Sequence, residues 1–132
     1  MDDPLQQLVS EDFREEDRQR LAVLLLPYIV FDKNSKKPHF KEAFQKIDNN
    51  ADKIELVFLT EKARSLLFED GNNEGLGQSE ILSFDILPAG SVKTSLKKLT
   101  DGNKIRKNSQ GKYFIPSYRL SELFTKYSSK VE

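Results

Sequence analysis

The stretch over 88–102, PAGSVKTSLKKLTDG, constrains the fold of this chain more than any other part of it. Three aliphatic residues recur there at i, i+4 and i+7, namely Val92, Leu96 and Leu99. That spacing predicts a helix over 88–101 with one apolar stripe that faces a core. Pro88 suits the first helical position, where its missing N–H would have no partner in any case. The Asp-Gly-Asn sequence at 101–103 suits the helix end, because glycine and asparagine accept the left-handed conformation needed there.

The other side of this predicted helix is small, hydroxylated and basic. At about 100° per residue, the positions that face away from the apolar stripe or flank it are Gly90, Ser91, Lys93, Thr94, Lys97, Lys98 and Asp101. A helix that is aliphatic inside and small, polar and basic outside suits a groove of double-stranded DNA. The sequence therefore predicts that this helix meets nucleic acid.

The charge of the chain is unevenly distributed along the sequence. Residues 88–132 carry ten Lys and Arg against three Asp and Glu, a net charge of +7. Residues 1–87 carry eleven against eighteen, a net charge of −7. Such asymmetry within a chain of zero net charge indicates a polyanionic partner for the basic part. The alternative explanation is that the lysines only solvate a helix and a hairpin.

Length and composition limit the class of protein. At 132 residues we expect one domain over 50–132, preceded by an N-terminal extension over 1–49. The chain contains no cysteine, which excludes disulfides and thiolate metal sites and fits a cytoplasmic protein. The initial Met-Asp-Asp-Pro is unlike a signal peptide. The longest apolar run, 11 residues over 21–31, is too short to cross a bilayer, so no membrane partner is expected.

A helix is predicted over 11–26, with Ser10 as its N-cap and acidic residues in its first turn. Its last turns are apolar on all sides, and Pro27 is expected either to stop the helix or to bend the chain. Two interpretations of this apolar end remain open. Either it covers the rest of the domain, or it forms a homodimer interface that would pair two DNA-binding helices on a two-fold site.

A short hairpin is predicted after this helix. The run over 28–31 is rich in β-formers, DKNSKK follows it as a turn, and 38–40 can return as a second strand. A helix over 38–47 that starts at Pro38 is the competing interpretation. His39 is the one histidine of the chain and has no metal-ligand or catalytic pattern around it, so we interpret it as structural.

The remaining elements are predicted from periodicity and turn residues. In chain order, they are a helix with a broad apolar face over 52–68, an acidic loop over 69–75, a short helix over 78–84 and a turn over 85–87. Alternating residues over 104–107 and 112–115 predict a hairpin in which Gly111 can take a positive φ. A C-terminal amphipathic helix buries Leu120, Leu123, Phe124 and Tyr127.

These elements, in this order, resemble a winged helix-turn-helix domain. The family pattern has an apolar residue before a proline, a small residue, Ser/Thr-Val, a basic residue, and two leucines ahead of a glycine-led strand. The stretch LPAGSVK over 87–93 is similar to it without a gap, and the later positions of the pattern correspond to Leu96, Leu99 and Gly102. KYFI over 112–115 resembles the returning wing strand. The resemblance covers about residues 50–128.

Two positions depart from the family pattern. Ser or Thr commonly caps the first motif helix, where this chain has Gly77, and glycine is common in the turn, where this chain has Ile86. A β-branched residue resists a positive φ. The turn is therefore expected to be displaced by one residue, or the short helix to be distorted.

The resemblance implies a mainly α fold with a small β component (α+β), a winged helix preceded by an N-terminal helical extension and a short hairpin. It implies a DNA-binding protein, either a transcriptional regulator or a replication- or plasmid-type accessory factor. Helix 88–101 would enter the major groove and hairpin 104–116 would be a basic wing. The residues implied to contact DNA are Ser91, Lys93, Thr94, Lys97, Lys98, Lys104, Arg106, Lys107 and Lys112. No cofactor or metal is implied.

The residue types at this surface indicate how it would bind. The outer face of helix 88–101 lacks arginine and asparagine, and lysine is a flexible point charge. Affinity is therefore expected from phosphates more than from base edges. The hairpin tip over 108–111 has no apolar residue, so the basic side chains of the hairpin are expected to act outside the fold.

Two other classes of function are weaker. The carboxylates over 12–17 have no partner histidine, phosphate-binding loop or metal spacing, so a solvated helix face explains them and no enzyme is expected. A winged helix that serves as a protein–protein module without DNA binding is the stronger alternative. The basic face of helix 88–101 favours DNA over that alternative.

Overall fold

The computed structural model of the chain describes residues 11–68 and 75–128. Its helices and strands are α1 (Glu11–Leu25), β1 (Ile29–Phe31), β2 (Pro38–Phe40), α2 (Glu42–Gln45), α3 (Asn50–Phe68), α4 (Gln78–Ser83), α5 (Ala89–Asp101), β3 (Arg106–Lys107), β4 (Tyr113–Phe114) and α6 (Leu120–Ser128), with a 3-10 turn over Ser117–Arg119. The described part is mainly helical with two small antiparallel hairpins, which confirms the predicted α+β class. The predicted N-cap Ser10 and most of the predicted acidic loop lie outside the described residues.

The central element is α3, which packs against both α1 and α5. Every residue over 52–62 is buried, including charged ones, although the sequence predicted only a broad apolar face. The helix begins at Asn50, slightly earlier than predicted, and Oδ1 of Asn49 caps it by accepting the N–H of Asp52 at 3.1 Å. An apolar cluster with contributions from α1, α5 and α6 surrounds α3.

The N-terminal hairpin forms as predicted, from the antiparallel strands β1 and β2. Asp32 organises the turn between them, because its Oδ1 accepts the N–H groups of Asn34 and Ser35 at 2.7 and 3.2 Å. The competing prediction of a helix starting at Pro38 is wrong, since helix follows only at α2. His39 is exposed on β2, with its Nε2 3.9 Å from Oδ2 of Asp32.

The apolar end of α1 is divided between core and surface. Leu21, Leu24 and Leu25 are buried in the apolar cluster, where α1 contacts α3 and α6. Val23 and Leu26 are 75% and 69% exposed. One side of the apolar end of α1 is therefore buried in the core. The other side is not covered by any of the described residues.

The segment from α4 to α5 contains both departures from the family pattern. Gly77 is the N-cap of α4, and Oε1 of Glu80 accepts its N–H at 3.0 Å, which is the glutamate half of a capping box. In the turn, the positive φ (56°) falls on Asp85, because aspartate tolerates the left-handed conformation that Ile86 resists. The turn is thus displaced by one residue, the first of the two outcomes that the sequence left open, and Ile86 is buried.

Both ends of α5 differ slightly from the prediction. Pro88 is the N-cap, with an extended backbone, so the helix starts one residue later than expected. At the other end, Gly102 has a φ of −84°, and Asn103 is the left-handed residue, with a φ of 58°. The N–H of Lys104 then donates to the carbonyl of Leu99 at 2.8 Å, which is the long-range bond of a Schellman motif.

The second hairpin, residues 104–116, is called the wing below. Its paired strands β3 and β4 are shorter than predicted, and Gly111 takes the predicted positive φ, 79°. Leu76 and Tyr113 exchange two backbone hydrogen bonds of 2.9 Å each, which hold the wing against the segment before α4. Gly75 permits this close approach, because its φ is +146° and a Cβ there would lie 3.0 Å from a side-chain atom of the wing. The fold therefore ties the wing to the start of α4.

A buried network of charges joins the C-terminal region to α3. Arg119 donates to Oε2 of Glu55 at 3.0 Å, and Lys126 and Tyr127 donate to its Oε1 at 2.9 and 2.8 Å. Burial acts to raise the pKa of Glu55, but these hydrogen bonds outweigh it and hold that pKa below its ordinary value. Arg119 also donates to the carbonyl of Lys104 at 3.1 Å, so the network reaches the start of the wing. Sequence reasoning did not predict this network.

Candidate nucleic-acid interface

The inward side of α5 is the one that the sequence predicted. Val92, Leu96 and Leu99 lie in the core, and Ser95 is buried with them. The contacts come from α3 and α4, which pack against this side of the helix. The orientation of the opposite side follows, because a helix buried along one stripe presents the remaining positions to solvent.

The predicted contact residues of α5 lie on that opposite side or on its flanks. Lys93, Thr94, Lys97 and Lys98 are exposed, and Ser91, in the first turn, is half-buried. Asp101 is exposed near the C-terminal end of the same surface. The result is a basic helical surface whose N-terminal part is small and hydroxylated.

Four lysines at this surface have no carboxylate partner. The ammonium groups of Lys93, Lys97, Lys98 and Lys104 make no salt bridge or hydrogen bond with the residues that the structure describes. Unpaired cations along one helix and its immediate continuation create a positive potential that attracts a polyanion.

Three of the four cations of the wing have partners within the fold, contrary to the expectation that they act only outside it. The guanidinium of Arg106 lies 5.6 Å from the ring centre of Tyr118, and the ammonium of Lys107 lies 5.4 Å from that of a tyrosine on β4. These contacts keep both charges at the surface. Lys112 instead forms a 3.2 Å ion pair with Glu80 of α4. With Lys104, which has no partner among the described residues, the wing therefore presents three uncompensated cations and one whose charge is matched.

An open groove of about 560 Å³ lies between the first turns of α3 and α5. Its lining residues include Asn49 and Asn50 on one side and Ser91, Thr94, Ser95 and Lys98 on the other. Among the described residues, no carboxylate lines it. The sequence prediction named three of these α5 residues and missed Ser95, which lies beside the apolar stripe and shares its periodicity.

A second groove, of about 380 Å³, is apolar and lies between α1, β1 and α3. Its rim contains Leu26, Val30 and Leu67, each of which is more than half exposed. Arg18 borders it and donates to the carbonyl of Leu66 at 2.8 Å. Periodicity did not predict this groove, because it depends on how the hairpin and the two helices meet.

The described part of the chain offers neither a membrane span nor a metal site. Within 11–68 and 75–128, no helix combines the length and apolar character needed to cross a bilayer. Over the same ranges, no group of three or more histidine, cysteine or carboxylate side chains is arranged to hold a metal ion.

No protein-family model matches the sequence, and no curated protein or solved structure is significantly similar to it. The function of the α5 surface has to be inferred from its geometry and its charge.

Proposed function

We propose that this chain is a cytoplasmic DNA-binding protein without catalytic activity, a transcriptional regulator or a replication accessory factor. Helix α5 enters the major groove of a duplex, and the wing contacts the adjacent sugar–phosphate backbone. One observation carries the proposal: α5 is buried along one side, while the lysines of its other side have no partner among the described residues. Lysines so placed bind phosphates without discriminating strongly among bases.

The order of the elements supports a winged-helix arrangement around α5. Helices α3, α4 and α5 follow one another, and the wing returns to pair with the segment before α4. Because the wing follows α5 directly and is held against the segment before α4, a duplex bound to α5 would lie near Arg106 and Lys107. These two cations would extend the phosphate contacts beyond the helix.

A homodimer is the second part of the proposal. Val23, Leu26 and Val30 are each more than half exposed, and Leu26 and Val30 also line the apolar groove between α1, β1 and α3. Exposed apolar side chains around an apolar groove mark a candidate interaction surface. A second copy supplies both the same groove and the same protruding rim, so a two-fold interface is self-complementary. Such a dimer would present two α5 helices to one DNA site.

Titration of a fluorescently labelled random duplex tests the DNA-binding proposal. We expect a dissociation constant in roughly the micromolar range at low salt. The logarithm of the affinity should fall with the logarithm of salt with a slope of about −4 to −5, because about four to six phosphates are neutralised. Absence of binding at low salt, or binding that ignores salt, would contradict the proposal and favour a protein–protein module.

Paired lysine variants supply a matched control. Lys97→Ala with Lys98→Ala should weaken binding and flatten the slope by about two units. Lys33→Ala with Lys37→Ala removes the same charge from the exposed turn between β1 and β2 and should change neither quantity. Both double variants should keep their free energy of unfolding within about 0.5 kcal/mol of wild type. Leu96→Ala, in contrast, should lower the free energy of unfolding by about 2–5 kcal/mol, because it opens a cavity in the core.

A further inference from the structure

The groove between α3 and α5 brings together the first turns of two long helices. Helix α3 has 19 residues and α5 has 13, and the residues at both starts line the groove. The N-terminus of a helix carries partial positive charge and N–H groups without intrahelical acceptors. Two such ends beside one groove favour an anion between them.

The first turn of α5 has free hydrogen-bond donors. No side chain caps this helix, and its first intrahelical bond runs from the N–H of Val92 to the carbonyl of Pro88 at 3.0 Å. The N–H groups of residues 89–91 therefore have no acceptor within the described part of the chain. The start of α3 differs, because Asn49 caps it.

Ser95 is an independent indication of a ligand. This residue is 4% exposed and lines the groove, and its hydroxyl has no hydrogen-bond partner among the described residues. Buried hydroxyls are normally bonded, since an unsatisfied one costs free energy. Thr60 of α3, which is also buried, follows this rule and donates to the carbonyl of Leu56 at 2.8 Å. An acceptor oxygen inside the groove would satisfy Ser95 in the same way.

Gly90 leaves the groove open to a close approach. A Cβ at this position of the first turn would have no atom within 4 Å, so packing inside the chain does not require glycine. Glycine also weakens a helix relative to alanine. A residue without a side chain, however, lets a ligand reach the backbone N–H groups directly.

The polar groups of the groove suit an oxyanion. Ser91 and Thr94 add hydroxyls, and Lys98 supplies a positive charge. The carboxylates of the adjoining groove, Asp52 and Glu55, are occupied by Lys126 at 2.8 and 2.9 Å. The groove therefore has donors and positive charge with little competing negative charge.

We propose that this groove is a phosphate-binding site. A phosphoryl group accepts hydrogen bonds from the free N–H groups of residues 89–91 and from the hydroxyl of Ser95, and Lys98 neutralises its charge. The phosphoryl group belongs either to a nucleic-acid backbone or to a phosphorylated small molecule, because both present the same tetrahedral oxygens. The site depends on the geometry of this groove and does not require that α5 enter a DNA groove.

Titration of the ¹⁵N-labelled protein with inorganic phosphate at constant ionic strength, followed by NMR, tests the site. The amides of residues 89–91 should shift and saturate. Ser95→Ala should raise the dissociation constant for phosphate about tenfold, the usual effect of losing one hydrogen bond to a charged group. Thr100→Ala removes a hydroxyl from the other flank of α5 and should leave that constant unchanged.

Thermal melting in phosphate-free buffer separates binding from folding. Ser95→Ala should melt at or above the wild-type temperature there, because it removes a hydroxyl that has no partner in the absence of the ligand. Wild type should gain more stability from added phosphate than the variant does. Amides 89–91 that do not saturate, or equal phosphate affinities for wild type and Ser95→Ala, would overturn the proposal.

Competition identifies the source of the phosphoryl group. For a nucleic-acid backbone, a random duplex should shift amides 89–91 and inorganic phosphate should displace it. For a small molecule, a nucleoside monophosphate should bind these amides more tightly than inorganic phosphate, and the duplex should not shift them.

The same measurements separate the phosphate site from the proposed DNA function. Saturable phosphate binding without duplex binding would keep the site and reject the proposed DNA function. Duplex binding without phosphate shifts would keep the DNA function and reject the site.

Discussion

At the scale of single residues, Glu55 is the charge on which the C-terminal region depends. It is 1% exposed, and its carboxylate accepts hydrogen bonds from Arg119, Lys126 and Tyr127. A carboxylate without water is tolerated only when donors and opposite charges surround it, and removing one partner leaves the others buried and uncompensated. The network therefore makes the docking of α6 on α3 sensitive to one side chain.

We expect Glu55→Gln to lower the free energy of unfolding by about 3–5 kcal/mol, because Arg119 loses its buried counter-charge. Since hydrogen bonds hold the pKa of Glu55 below its ordinary value of 4.5, the stabilisation is present above that pH and is lost as the pH falls below it. Urea unfolding at a series of pH values should show the wild-type and variant curves converging at the acid end.

The control for this experiment is Glu122→Gln, which removes an exposed carboxylate from the same arginine. Glu122→Gln should lower the free energy of unfolding by less than about 1 kcal/mol, because solvent screens an exposed ion pair. A loss as large as that of Glu55→Gln, or a Glu55→Gln effect that persists unchanged in acid, would contradict the role assigned to the buried carboxylate.

At the scale of elements, the wing contains two kinds of cation. Arg106 and Lys107 stack on tyrosine rings and keep their charge available, whereas Lys112 pairs with Glu80. Their contributions to DNA binding should therefore differ, although the sequence gives no reason to distinguish them.

Arg106→Gln with Lys107→Gln should flatten the salt slope of duplex binding by about two units, since each phosphate contact contributes about 0.9. Lys112→Gln should flatten it by clearly less than one unit, because Glu80 already matches that charge. Affinity should fall about equally for all sequences, since phosphate contacts do not read bases. An unchanged slope in the double variant would mean that the wing points away from DNA.

At the scale of the whole molecule, the exposed apolar surface predicts the oligomeric state. Sedimentation equilibrium should give twice the mass of one chain, and Leu26→Asp should give a single chain, because it places a carboxylate in the proposed interface without entering the core. Ala43→Asp adds the same charge on the exposed side of α2 and should remain dimeric. If the wild type is monomeric, the dimer is rejected. The apolar C-terminal end of α1 then serves only to cover the core.

Elements whose patterns are local could be predicted from the sequence alone. The spacing of Val92, Leu96 and Leu99 predicted which side of α5 is buried, and hence which lysines are exposed. Turn residues predicted the first hairpin. The resistance of Ile86 to a positive φ left two outcomes open, and the structure shows the displaced turn, with the positive φ on Asp85. Each of these depends on residues within one or two helical turns of one another, where backbone preferences and periodicity are strong.

Only the tertiary structure decided which polar groups are buried and which charges are matched. Ser95 has the periodicity of the apolar stripe, yet it lines a groove that exists only because α3 starts beside α5. Lys112 is a surface cation in the sequence, and its pairing with Glu80 depends on how the wing folds back onto α4. Glu55 meets its three donors across 64 to 72 residues of chain. The environment of a charge is set by neighbours that folding brings together, and these contacts leave no periodic pattern in the sequence around it.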